Sequence, residues 1–227
     1  MIIMKILHII ILTIICSAFA GCEKDNFDAP KATLSGKVTY NGSAVGVRTN
    51  GTQLELWQDG YALHSKIPVY IAQDGTFSAS LFNGQYKLVR LAGAPWLTQA
   101  SDTIVIDVKG NTVVDIPVTP YFAVNKESFT KGSGTITAKF TVEQGVASAN
   151  PESVRLFFGK SILTDSNKNE GVVKADLSSI TIGAESSMTA DIPSAFADAD
   201  YLFVRIGVRA TVSSEYYYTQ VQKISLK

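Results

Sequence analysis

Trp57, Tyr61 and Trp96 are the side chains of this 227-residue chain with the clearest chemistry to offer. An exposed aromatic ring can lie against the apolar C–H face of a sugar while polar neighbours read its hydroxyls. In "QLELWQDGY" Trp57 shares a strand face with Gln53 and Glu55 and stands opposite Leu54 and Leu56, so alternation turns it outward. Tyr61 follows the turn Asp59-Gly60, and Trp96 falls in the loop "AGAPW". Gln58 and Asp59, with Gln99 and Asp102 further on, supply groups for hydroxyls. Two readings stand. One is a glycan-binding surface built on Trp57, Tyr61, Trp96, Gln58 and Asp59; the other is amphipathic packing on a rim or a domain interface. "SSEYYYTQ" sets Tyr216 to Tyr218 in succession, and an ordinary strand must expose at least one of them, as an edge or partner surface.

Other chemistries lack their residues. His8 and Cys16 fall in an apolar leader, which leaves His64 and Cys22. A Ser-His-Asp site would have to use His64, and "YALHSKIP" places it between turns with no nucleophile elbow nearby. Zinc cannot be assembled from so few His and Cys. No glycine-rich loop leads from a strand into a helix to cradle phosphate. Neither an enzyme nor a cofactor is expected. In "DSNKNEGVVKAD" the residues Asp165, Asn167 and Asn169 alternate, loosely as in a calcium loop. The glycine comes one place late and the final ligand would be the shorter Asp176. A polar hairpin loop is the competing reading.

Met4 and Lys5 open onto a nearly unbroken apolar run, Ile6 to Ile15, and Ala18, Ala20 and Gly21 precede Cys22. That is the layout of an export signal with a cleavage site, and the run is short for a bilayer span. The small residues ending at Gly21-Cys22 resemble a bacterial lipobox, with Phe19 where that pattern usually has Leu. The resemblance implies a lipidated Cys22 at the start of the processed chain, and acyl chains there would meet the two-signal requirement for stable anchoring. The competing readings are an uncleaved membrane helix and a secreted chain with a free thiol. Loss of Cys16 with the leader rules out a disulfide within the processed chain. Lys+Arg and Asp+Glu number 20 each, and with no basic run the chain lacks the footprint of nucleic-acid or electrostatic membrane binding.

Glu23 to Lys31 is polar and reads as a tether. From Ala32 onward apolar residues alternate with polar ones. Ile104, Ile106 and Val108 share one face, as do Ile136, Ala138, Phe140 and Val142, and again Leu202, Val204, Ile206 and Val208. Half-buried antiparallel strands explain that period; amphipathic helices do not. "PSAFADAD", Pro193 to Asp200, is the best helical candidate, long enough for a single turn. Asp59-Gly60, Asp74-Gly75 and Asn83-Gly84 offer residues for type I′ hairpins. Pro117 and Pro120 end one strand series and begin another, which puts a domain seam near Thr119. The expected organisation is a leader over 1–21, a tether over 22–31 and two β-sandwich domains over 32–119 and 120–227, joined by a short link and therefore fairly rigid.

The first domain resembles a carboxypeptidase-regulatory-like, transthyretin-type sandwich. "GKVTYNGSAV" and "QDGTFSASLFNGQYKLV" carry the resemblance, with Gly36, Val38, Gly42, Gly75, Phe77, Gly84 and Tyr86 in the family's places. More narrowly, "LWQDGY", "QDGTFSASLFNGQYKL", "GAPW" and "VTPYFAV", in this order, are similar to a family of two-domain lipoproteins of unknown function. In that family a regulatory-like domain precedes an immunoglobulin-like one. Its members are encoded beside glycan-import systems that pair a TonB-dependent outer-membrane channel with a surface glycan-binding lipoprotein. "CEKDNFD" resembles the surface-export signal of such lipoproteins. The resemblance implies an all-β chain anchored to the outer membrane by lipid and exposed at the cell surface. Its implied partners are glycan, the channel and the channel's partner lipoprotein. Two functions compete: an auxiliary glycan-binding protein that retains oligosaccharide near the channel, and a structural or adaptor subunit that touches no sugar. An adhesin or pilus-like component is a third.

Overall fold

The computed structural model describes residues 28–60, 62–98 and 103–227. Cys22 and its flanks, Tyr61, Gln99 and Asp102 lie outside the described residues. Lys31–Lys227 forms one compact unit, and among the described residues it contains no α-helix.

Nine strands build the first domain: β1 (Ala32–Tyr40), β2 (Ser43–Ala44), β3 (Gln53–Trp57), β4 (Ile67–Tyr70), β5 (Thr76–Leu81), β6 (Gly84–Arg90), β7 (Ile104–Val108), β8 (Asn111–Val113) and β9 (Ile116–Pro117). One sheet centres on β1, which pairs antiparallel with β5 and parallel with β8 and β9. The other is the antiparallel series β4-β3-β6-β7. Leu34 and Val38 of the first sheet and Leu54, Leu56, Leu88, Ile106 and Val108 of the second are buried between them. Gly36 has to be glycine, because a Cβ there would stand 1.9 Å from the Val114 carbonyl oxygen.

The three Gly-containing turns differ from expectation. Asp59, Asp74 and Asn83 do not adopt the positive φ of a type I′ turn. Asp74-Gly75 and Asn83-Gly84 instead carry the chain from one sheet to the other, and Asp59-Gly60 opens a longer loop between β3 and β4. The Asp74 carboxylate accepts from the Thr76 amide at 3.0 Å and the Thr76 hydroxyl at 2.7 Å, a local Asx turn. The pair with positive φ at both residues is Asn41-Gly42, between β1 and the very short β2.

The second domain comprises β10 (Phe122–Lys131), β11 (Thr135–Gln144), β12 (Pro151–Gly159), β13 (Gly171–Lys174), β14 (Glu185–Asp191), β15 (Tyr201–Ala210), β16 (Tyr217–Tyr218) and β17 (Gln222–Ser225). The sheet β10-β11-β14 packs on β13-β12-β15, with β16 and β17 following one another along β15. In the lettering of immunoglobulin-like sandwiches this is A-B-E against C′-C-F-G. Ile136, Ala138, Phe140 and Val142 meet Leu202, Val204, Ile206 and Val208 in the core, as their alternation requires. "PSAFADAD" supplies one 3-10 turn, Ser194–Phe196, which buries Phe196.

At the seam the Thr119 carbonyl accepts from the Leu97 amide at 2.8 Å, and the Pro95 carbonyl from the Tyr121 amide at 3.1 Å. A short piece of the first domain thereby pairs with the link itself.

Candidate functional site

The outer face of the β4-β3-β6-β7 sheet presents Trp57. Lys87 stands directly opposite it on β6 and Val105 opposite Lys87 on β7, so the three form a row across the sheet. Pro68, Glu55 and Val89 make the next row, and Tyr70 and Gln53 the one after. Trp57 is half-buried, and His64 from the β3–β4 loop lies against it with ring centroids 5.0 Å apart. Asp59 ties the group together: Lys87 Nζ donates to it at 2.6 Å, and His64 Nε2 lies 3.5 Å away. The hydrogen bond from Lys87 holds the Asp59 carboxyl below its ordinary value, so it is ionised at neutral pH. Gln58 is turned toward Gly84, and its amide nitrogen occupies space that a Cβ there would need. Glu55 points outward by alternation yet is buried, with Lys66 Nζ donating to it at 2.5 Å. At the Gln53 end a cleft of about 230 Å³ is lined by Gln53, Ala92, Gly93 and, from the second domain, Ser214.

This arrangement offers an aromatic ring beside one cation and one anion, with further donors and acceptors along the same strand. It suits a neutral hydroxylated ligand. Among the described residues no cluster of three His, Cys, Asp or Glu side chains suits a metal. Lys87 and Tyr70 are additions that the sequence reading passed over. Tyr70 had the signal of outward alternation in "IPVYI"; Lys87 had none, because its role follows from the register between β3 and β6.

Trp96 does not join Trp57. It is fully buried, forms a β-bridge to Pro120 at the seam, and has its indole N–H among buried groups with no partner among the described residues. The segment "APW" is irregular in sequence, but the start of the second domain closes over it, so Trp96 is withdrawn from the sugar-contacting set.

Tyr216, Tyr217 and Tyr218 are all buried, against the expectation that at least one is exposed. Tyr217 faces the core of its own sandwich, and Tyr216 and Tyr218 turn the other way onto Phe157. That second face is covered by the first domain, which hydrogen-bonds to it through Gly46 and Tyr218.

The calcium reading also gives way. Asp165 is buried and its carboxylate accepts from the amides of Asn167 at 2.8 Å and Lys168 at 2.9 Å, while the Asn169 amide donates to the Asp165 carbonyl at 3.0 Å. These groups are spent on holding the hairpin loop from β12 to β13.

Two family models match, the N-terminal domain of a protein of unknown function (DUF3823) over residues 32–119 and the domain of unknown function DUF3823_C over residues 122–223. A crystal structure of a DUF3823 family protein from Bacteroides ovatus is 49% identical, with a TM-score of 0.83 over 87% of this chain and 100% of that one. The chain belongs to the DUF3823 family. A DUF3823 family protein from Parabacteroides merdae is 32% identical, with a TM-score of 0.80 over the same shares. A protein from Bacteroides uniformis, described provisionally as a carbohydrate binding protein, is 21% identical with a TM-score of 0.71 and shares the fold. No curated protein matches the chain.

The junction of the two domains in this DUF3823 chain is built on Arg205. Its guanidinium is fully buried, 4.0 Å from the centroid of the Tyr218 ring, and Nη1 donates to the carbonyls of Val47 at 3.3 Å and Thr164 at 3.2 Å. Burial pushes its pKa down to about 10, still high enough to keep it charged at neutral pH. Arg48 Nε donates to Glu215 Oε2 at 3.1 Å from the first domain to the second, and Ser213 donates to the Ala94 carbonyl at 2.9 Å. Sequence alternation marked Arg205 as outward; nothing in it showed that the outward side was covered.

Proposed function

We propose that the chain is a non-enzymatic, lipid-anchored outer-membrane protein whose first domain binds glycan as an auxiliary component of a polysaccharide uptake system. The observation that carries the reading is Trp57, held outward on a sheet face beside His64, Asp59 and Lys87. The provisional description of the Bacteroides uniformis neighbour as a carbohydrate binding protein supports it, as do the lipobox-like approach to Cys22 and the likeness to proteins encoded beside glycan-import systems. Tyr61 remains a candidate contact. With Trp96 withdrawn the stacking area is small, so binding is expected to be weak.

The test is affinity electrophoresis of residues 31–227 through gels containing a panel of polysaccharides. Retardation by at least one, lost in Trp57→Ala, is the expected result. Metabolic labelling with a fatty-acid analogue tests the anchor, since Cys22→Ala should abolish incorporation, and protease accessibility on intact cells tests surface exposure.

An adaptor that binds the channel or its partner lipoprotein is the second reading. Tyr70 and Val105 on the same sheet face are 51% and 57% exposed, which suits a protein partner as well as a sugar. Migration unaffected by any polysaccharide, together with co-purification of a transporter component lost in Val105→Asp, would decide for the adaptor.

A further inference from the structure

A second cleft, of about 310 Å³, opens where β10 and β16 approach the first domain. Its volume lies at the lower end of the range of about 300–1,000 Å³ usual for small-ligand sites. Between Asn125 and Ser128 the pairing of β10 with β11 slips by one residue, a β-bulge. Lys126 within it has φ +54°, a left-handed conformation that bulges of this kind normally assign to glycine.

The bulge delivers Asn125, Lys126 and Glu127 to the cleft. The side-chain oxygen of Asn125 is buried and has no hydrogen-bond partner among the described residues. Among the described residues Glu127 makes no ion pair, and burial raises its pKa above the ordinary carboxylate value. The Tyr217 hydroxyl, its pKa pushed up to about 12 chiefly by burial, has no side-chain hydrogen bond among the described residues. Gln220 donates through its amide nitrogen to the carbonyls of Ala44 at 3.4 Å and Asp74 at 3.3 Å, and among the described residues its side-chain oxygen receives no donor.

The cleft therefore gathers unpaired acceptors, with the Tyr217 hydroxyl and Lys126 as donors beside them, a mixture that sugar hydroxyls, which both donate and accept, can meet. An orphaned buried acceptor destabilises the fold unless a ligand or water satisfies it. We propose that this cleft is a binding site for a single neutral sugar unit, whose hydroxyls donate to Asn125, Glu127 and Gln220, distinct from the Trp57 face. A cationic amine would also supply donors, but it would have to shed its hydration in a half-buried cleft already bordered by the Lys126 ammonium. Hydroxyls meet the same acceptors at smaller desolvation cost. The site is independent of the Trp57 reading, because it shares none of those residues.

The test is a 1H–15N NMR titration of residues 31–227. This portion is expected to fold alone, since the solved relatives are matched over their whole length by 87% of this chain. Glucose, galactose, mannose and N-acetylglucosamine are the probes, with ethanolamine as the amine. At least one sugar should move the Asn125 side-chain amide and the backbone amides of Glu127 and Tyr217 in a saturable way. Asn125→Ala and Glu127→Gln should each weaken that binding about tenfold, and Trp57→Ala should leave it unchanged. If Asn125→Ala loses its dispersed spectrum, the near-isosteric Glu127→Gln decides. No movement with any sugar, movement with ethanolamine alone, or equal binding by Glu127→Gln would overturn the site. Shifts of the Trp57 indole are a separate readout, so failure of the glycan reading at that face is distinguishable from failure here.

Discussion

Two outward sheet faces of this molecule begin from the same alternating sequence and end in opposite conditions. On β3, alternation turns Trp57 away from the core, and it remains half-buried at the surface beside His64. On β15, alternation turns Arg205 away from the core just as firmly, and it is fully buried because the first domain lies over it. Period two says on which side of a strand a residue stands; it does not say whether another domain covers that side. The two tryptophans make the same point, since Trp57 is presented and Trp96 is closed over at the seam.

The largest test of this contrast sets the tryptophans against each other. Trp96→Ala should lower the unfolding free energy by about 3–5 kcal/mol in urea titrations, the usual cost of emptying a large buried aromatic site. Trp57→Ala should cost under about 1 kcal/mol, as for a surface substitution, while abolishing retention by glycan. Equal destabilisation by both would erase the distinction.

Arg205 gives the next effect. Arg205→Ala removes a buried cation, its ring contact and two carbonyl partners in the first domain and the β12–β13 loop, and should cost about 3 kcal/mol. Arg205→Met, which refills the space without the charge, should recover most of it in the same titration. A loss below about 1 kcal/mol for the alanine variant would mean that the covered face is held by its neighbours alone.

Lys126→Gly should act in the opposite direction. Relief of a left-handed lysine is worth about 1 kcal/mol, partly offset by glycine's greater freedom in the unfolded chain, so a small rise in Tm by calorimetry is expected.

The smallest effect lies at the exposed face. The Asp59 carboxyl is held below its ordinary value by Lys87, so whatever the pair contributes is present at neutral pH and is lost only as pH falls through that lowered value. The Asp59 carboxyl carbon resonance should therefore titrate below the usual aspartate range, and Lys87→Met should return it toward that range.

The fold was legible where a local rule decides it. Ile136, Ala138, Phe140 and Val142 announced their shared face, and the Pro117–Pro120 interval announced a break between strand series. What stayed hidden depends on pieces meeting across long stretches of chain. Lys87 faces Trp57 only through the register of β6 on β3. Tyr216 to Tyr218 are all buried because one face of β16 meets its own core while the other meets residues more than 150 positions earlier. Asn83-Gly84 was read as a hairpin because turn chemistry is local, whereas the sheet that receives the next strand is not.

The position of β1 has a mechanical consequence. Any tension transmitted through the chain ahead of Ala32 enters the fold along the axis of β1, which is held by β5 on one side and by β8 and β9 on the other. Its inter-strand hydrogen bonds run across the direction of pull, so they resist in shear and must fail together rather than one at a time. A strand at the rim of the sheet, peeled from its end, would let go bond by bond. The first domain would thus take such a load through the middle of a sheet.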